Sequence, residues 1–125
     1  MRRNPPIPLP SPAYEYKAKV TKVYDGDTFT VDIDLGLGVW MHGQKIRLYG
    51  VDTPEVRGKE RARGIQVRDY VRELILGENV LLRTFKDKKG KYGRWLARVL
   101  VAKNWGNVDL SQHLLECDMA VEMIY

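Results

Sequence analysis

Thr28-Phe29-Thr30-Val31-Asp32-Ile33-Asp34 alternates polar and apolar residues without a break. Period two sets Phe29, Val31 and Ile33 on one face and Thr28, Thr30, Asp32 and Asp34 on the other, the mark of a half-buried strand. Upstream, from Tyr16, Ala18 and Val20 alternate with Lys17, Lys19 and Thr21, so another strand precedes it. Asp25-Gly26-Asp27 between them reads as a hairpin turn, with Asp27 near the start of the second strand. Downstream, Gly36-Leu37-Gly38 begins a further connection, and Lys45 to Tyr49 predicts a third strand with Ile46 and Leu48 on one face. Val39-Trp40-Met41 can extend that hairpin. Gly50 to Pro54 leaves the sheet, because Pro54 has no N–H and disfavours helix at Thr53.

The period then changes. Val67, Tyr70, Val71, Leu74 and Ile75 form one apolar stripe of a helix within residues 60–76, and Gly77 is its natural stop. Arg61, Arg63, Arg68, Arg72 and Glu73 take its remaining faces. Val80 to Lys86 and Trp95 to Val101 predict two more strands, joined by a Lys- and Gly-rich turn at 87–93. Asp109 can cap a second helix, in which Leu110, Leu114 and Cys117 share a face. Cys117, the only cysteine, excludes an intrachain disulfide and a thiolate cage, and its apolar neighbours suggest a small core residue. Three strands, a helix, two strands and a helix predict a small closed sheet with packed helices rather than a βαβ layer.

Residues 1–13 hold five of the prolines and predict an extended or disordered arm ahead of one domain over 14–125. No apolar run approaches the roughly 20 residues of a membrane span. Met1 to Pro10 is basic but has no apolar stretch of signal-peptide type, which predicts a cytoplasmic location unless a signal has been removed. The net charge of +5 favours a polyanionic partner. A monomer with a nucleic-acid partner and no membrane is the expectation.

The residues with chemistry cluster in three turns. Asp27, Asp52 and Glu55 offer carboxylates of the kind that hold Ca²⁺ or Mg²⁺, with positions left open for water and a phosphate. Phe29 at the next alternate position rules out an EF-hand loop. Arg47, flanked in its strand by Ile46 and Leu48, points away from them. Arg94 follows Tyr92-Gly93 at a strand start. A guanidinium grips phosphate with two parallel charge-assisted bonds, which lysine cannot copy, so a pair of them suits a phosphodiester transition state. Each piece alone is ordinary: Asp-Gly is common turn chemistry, and a strand arginine is usually a surface residue. His42 and His113 are too far apart to suggest a ligand pair. Trp95 alternates with Ala97 and Val99 and reads as core, while Trp40 and Trp105 read as loop residues that could stack bases.

Taken in order, Asp25-Gly26-Asp27-Thr28, Arg47-Leu48, Val51-Asp52-Thr53-Pro54-Glu55 and Lys91-Tyr92-Gly93-Arg94 resemble the staphylococcal nuclease (thermonuclease) family, over about Tyr16 to Ala120. The resemblance implies an α+β, mainly β fold: a five-stranded OB-type barrel with two packed helices. It implies a calcium-dependent nuclease that hydrolyses DNA or RNA and leaves 3′-phosphate ends. Asp27, Asp52 and the Thr53 carbonyl match the family's calcium ligands, and Glu55 matches the residue that orients or deprotonates the attacking water. Arg47 and Arg94 match its phosphate-contacting arginines. Tyr92 and Lys91 match its phosphate-side substrate contacts. Three features depart from the pattern. The loop after Glu55 is short and carries Arg57, Lys59, Arg61 and Arg63. The Ile33–Lys45 connection is long, with Trp40, Met41 and His42 in it. The sequence also stops at Tyr125, where the family usually adds a third helix. The alternative expectation is a non-catalytic OB module that binds single strands or a protein partner. A structural component that keeps the motif is a third.

Overall fold

The computed structural model describes residues 13–89 and 93–123. The proline-rich arm lies outside the described residues, apart from Ala13, and so do Lys91 and Tyr92. The chain runs β1 (Ala13–Asp25), β2 (Thr28–Gly36), β3 (Val39–Leu48), β4 (Val51–Asp52), a 3₁₀ turn (Gly58–Glu60), α1 (Arg61–Ile75), β5 (Asn79–Lys89), β6 (Trp95–Lys103), β7 (Gly106–Asp109), α2 (Leu110–Glu116) and β8 (Val121–Glu122).

The large sheet has the order β3-β2-β1-β5-β6-β7, and β3 pairs with β6 in parallel. That last pairing closes β1, β2, β3, β6 and β5 into a ring of five strands, the OB-type arrangement expected from the sequence. β1 serves two neighbours, pairing with β2 from Lys17 onward and with β5 from Ala13 to Lys19. Its register shifts between Val20 and Lys22 and again between Val23 and Asp25. Such bulges bend a strand and increase its twist, as closure requires.

The inward face of each strand fills the ring. Val20, Val31, Ile46, Leu48, Leu82, Ala97 and Val99 are all fully buried, all but Leu82 from an alternation read in the sequence. The α1 stripe joins this core through Val67, Val71, Leu74 and Ile75. Tyr70 is only partly buried against it. The Arg72 guanidinium donates to the Val23 carbonyl at 3.3 and 3.1 Å, tying the helix to the strand end before Asp25. α2 starts as expected, with the Asp109 side chain accepting from the Gln112 N–H. Ser111 Oγ in its first turn donates to the Tyr49 carbonyl at 2.7 Å and anchors the turn after β3.

Five sequence readings are corrected. Cys117 is exposed, not core. α2 ends at Glu116, and Asp118 adopts a left-handed φ of 59°, which turns the chain so that Met119 and Ala120 face the core instead. Trp40 lies in β3, opposite Asp34, so Val39–Met41 does extend the hairpin and the loop reading of Trp40 fails. Leu37 and Gly38 both take positive φ and make a two-residue turn, so pairing resumes at once and the long connection is an extended hairpin. Val51–Asp52 does not leave all sheet structure but pairs with Val121–Glu122. β5 runs to Lys89, so the turn before β6 starts later than residue 87. Among the described residues no helix is long and apolar enough to cross a membrane.

Candidate active site

The site forms where the ring's strands end. Thr28 and Arg47 are direct partners across β2 and β3, and Arg47 is also the register partner of Leu96 in β6. Three separated turns therefore meet at one edge. The Asp27 carbonyl accepts from the Leu48 N–H at 2.8 Å, holding the first acidic turn against the end of β3. Pairing of β4 with β8 holds Asp52, and the Met123 N–H donates to the Gly50 carbonyl at 3.0 Å.

Arg47 is the hub. Its side chain is only 11% exposed. Nη1 donates to the carbonyls of Leu48 (2.9 Å) and Val51 (2.8 Å), which fixes the plane of the guanidinium. Nη2 lies 3.4 Å from Asp27 Oδ2 and 3.3 Å from Asp52 Oδ1. One nitrogen thus touches both carboxylates. Asp27 Oδ2 also accepts from the Thr53 N–H at 2.9 Å, and Asp27 Oδ1 accepts from the Thr28 hydroxyl at 3.1 Å. Arg94 reaches the same group from the start of β6, with Nη1 donating to Thr28 Oγ1 at 3.3 Å. The structure therefore brings Asp27, Asp52, Thr53, Arg47 and Arg94 into one connected set. Glu55 lies two residues beyond Thr53 and is exposed.

Asp25 belongs to the set and was not singled out in the sequence. Its Oδ1 accepts from the Asp27 N–H at 3.2 Å, in the manner of an Asx turn. Burial, then the hydrogen bond to Asp27 and the charge of Asp27, raise its carboxyl to about 7. Burial alone would also raise Asp27. The hydrogen bond with Asp25, the Arg47 charge, the Thr53 N–H and the Thr28 hydroxyl together outweigh it and hold Asp27 below its usual value. Asp52 is raised, by burial of its inner side and then by the Asp27 charge, against the opposing pull of Arg47. The only sequence signal for Asp25 was its place two residues before Asp27, which turn chemistry explains equally well.

Two carboxylates thus share one guanidinium, and a third, Asp25, lies beside Asp27 with its carboxyl raised to about 7. A surplus of hard anionic oxygens is the donor set a Ca²⁺ or Mg²⁺ ion fits. The Thr53 hydroxyl, buried without a partner among the described residues, adds an oxygen at the same place. Among the described residues no three His, Cys, Asp or Glu side chains group into a cage. The donors present would make an open site, as an ion that also binds substrate needs. An open cavity of about 140 Å³ adjoins Asp52 and Thr53, with Arg63 at its side and Met119 and Ala120 in its wall. Arg63 there donates to the Asp118 carbonyl at 3.1 Å, so this arginine from the short loop and helix start ties the fold together.

A family model described as "Staphylococcal nuclease homologue" matches residues 45–125, the greater part of the chain. The match includes Arg47, Asp52, Thr53, Glu55 and Arg94, and begins after the Asp25–Thr28 turn. No curated protein matches the chain.

Proposed function

The chain belongs to the staphylococcal nuclease homologue family, and from that premise we propose that it is a calcium-dependent nuclease that hydrolyses phosphodiester bonds of DNA or RNA. The observation that carries the reading is the meeting of Asp27, Asp52 and Thr53 with Arg47, and of Thr28 with Arg94, at one edge of the ring. Asp27, Asp52 and the Thr53 carbonyl would hold the calcium ion, which supplies Lewis-acid charge neutralisation at a substrate phosphate. Arg94 and Arg47 bind the non-bridging phosphate oxygens as charge builds on them. The Nη1 bonds of Arg47 keep its guanidinium oriented, while its longer Nη2 contacts are the ones a phosphate can replace. Glu55 accepts a proton from the attacking water. The new P–O bond forms as the bond to the 5′-oxygen breaks. That oxygen takes a proton from solvent, leaving a 3′-phosphate and a 5′-hydroxyl. Lys91 and Tyr92, which lie outside the described residues, would add phosphate contacts on the strength of the family resemblance.

The test is cleavage of single-stranded DNA, duplex DNA and RNA in calcium and in chelator, with end-group analysis. Calcium-dependent cutting with 3′-phosphate ends is expected, and Glu55→Gln should abolish most of it while leaving the thermal midpoint within a few degrees. Binding without cleavage in Ca²⁺, Mg²⁺ and Mn²⁺ would instead establish the non-catalytic OB module.

A further inference from the structure

Glu55 lies outside any helix or strand and is exposed, yet its backbone is gripped from both sides by one helix start. Its N–H donates to Glu60 Oε1 at 3.3 Å. Its carbonyl lies against Gly64, one turn further into α1. A Cβ built on Gly64 would fall 2.0 Å from the Glu55 oxygen, 2.4 Å from its carbon and 2.8 Å from the Val56 nitrogen. These obstacles are backbone atoms, so no side chain can swing aside. Carbon and carbonyl oxygen meet no closer than about 3.3 Å, so any other residue at 64 must push the Glu55 peptide or the helix away by more than ~1 Å. Glycine inside a helix also costs about 1 kcal/mol relative to alanine. A glycine here is therefore explained by the close approach, not by the helix.

We infer that Gly64 and Glu60 are positioning residues that seat the Glu55 peptide and so aim its carboxylate. This rests on the role given to Glu55 above. The same helix face serves the other acidic turn. A Cβ on Gly26 would fall 2.6 Å from Val67 Cγ1 and 3.0 Å from Thr53 Cγ2 and Oγ1. α1 thus acts as a common template, with Gly64 under Glu55 and Val67 under the turn that carries Asp27.

The experiment compares Gly64→Ala, Glu60→Ala and Glu60→Gln, each alone and with Glu55→Gln, on a single-stranded oligonucleotide in calcium. Misplacing a catalytic group by about 1 Å lowers rates by roughly 100-fold, so Gly64→Ala should lose kcat on that scale with KM and half-saturating calcium little changed. Glu60→Ala, at an exposed position that does not threaten folding, should lose about three- to tenfold in kcat. Glu60→Gln keeps an acceptor oxygen and should stay near the parent. Amide exchange at Glu55 and Val56 should quicken in Gly64→Ala and Glu60→Ala, while the Thr53 amide stays protected. Neither variant should slow the residual rate of Glu55→Gln. Parent-like kcat in both Gly64→Ala and Glu60→Ala, or equal losses with and without Glu55, would overturn the inference. If Gly64→Ala does not fold, Glu60→Ala and its exchange pattern decide the matter alone. A Glu55→Gln protein that cuts at the parent rate would overturn the catalytic reading itself, a result that no substitution at 60 or 64 produces.

Discussion

Replacing Arg47 by alanine tests the centre of the site without any substrate. The change removes a guanidinium that touches two carboxylates and two carbonyls. The two carboxylates are not equivalent. Asp52's side chain is 59% exposed, so losing its partner costs no more than about 1 kcal/mol. Asp27's side chain is 7% exposed and would be left as a buried charge without its cation, for which about 3–5 kcal/mol is typical. The Asp27 term decides, and Arg47→Ala should lose about 3–5 kcal/mol in chelator, a large share of the 5–15 kcal/mol that holds ordinary domains together. A divalent cation should reverse part of this. It would bind the bare acids more tightly than it binds the parent, and at a hundredfold excess over Kd it would contribute about 2.7 kcal/mol. The assay is urea unfolding followed by tryptophan fluorescence, in chelator and in calcium. A loss below ~1 kcal/mol would show that Asp27 does not depend on Arg47. Calcium stabilising the variant less than the parent would show that the acids do not share a cation site.

Three further outcomes are expected. The raised Asp25 carboxyl holds its proton in the folded chain up to about pH 7, whereas the unfolded chain releases it near the ordinary carboxylate value of 3.8. Its stabilising effect is therefore complete below pH 4 and lost as pH rises through about 7, so urea midpoints in chelator should fall from pH 5 to 8 more steeply in the parent than in Asp25→Asn; parallel slopes would refute the assignment. Thr53→Val replaces a buried hydroxyl that lacks a partner among the described residues and should raise metal-free stability by about 1 kcal/mol, with a drop in thermal midpoint counting against it. Arg98 is buried and donates twice to Asp109 Oδ2, at 3.0 and 2.8 Å, while Asp109 also caps α2. Asp109→Ala should cost about 3–5 kcal/mol, against about 1 if the cap alone mattered, as denaturant midpoints would distinguish.

What the sequence determined by itself follows from local periodicity. The strands around Val20, Val31, Ile46, Leu82 and Val99, the α1 stripe and the Asp109 cap were all legible, because each depends on spacing along one segment. The order of Asp27, Arg47, Asp52 and Arg94 along the chain was legible too, though not that they meet. What only the tertiary structure decided depends on packing between segments remote in sequence. That Asp25 is pushed to about 7, that Arg47 lies between Asp27 and Asp52, and that Cys117 turns outward while Ala120 turns in were set by which strand ends meet. The β4–β8 pairing and the Gly64 contact with Glu55 belong to the same class. A carboxylate's burial and a glycine's necessity are properties of what lies beside them in space, and one-dimensional spacing carries no record of those neighbours.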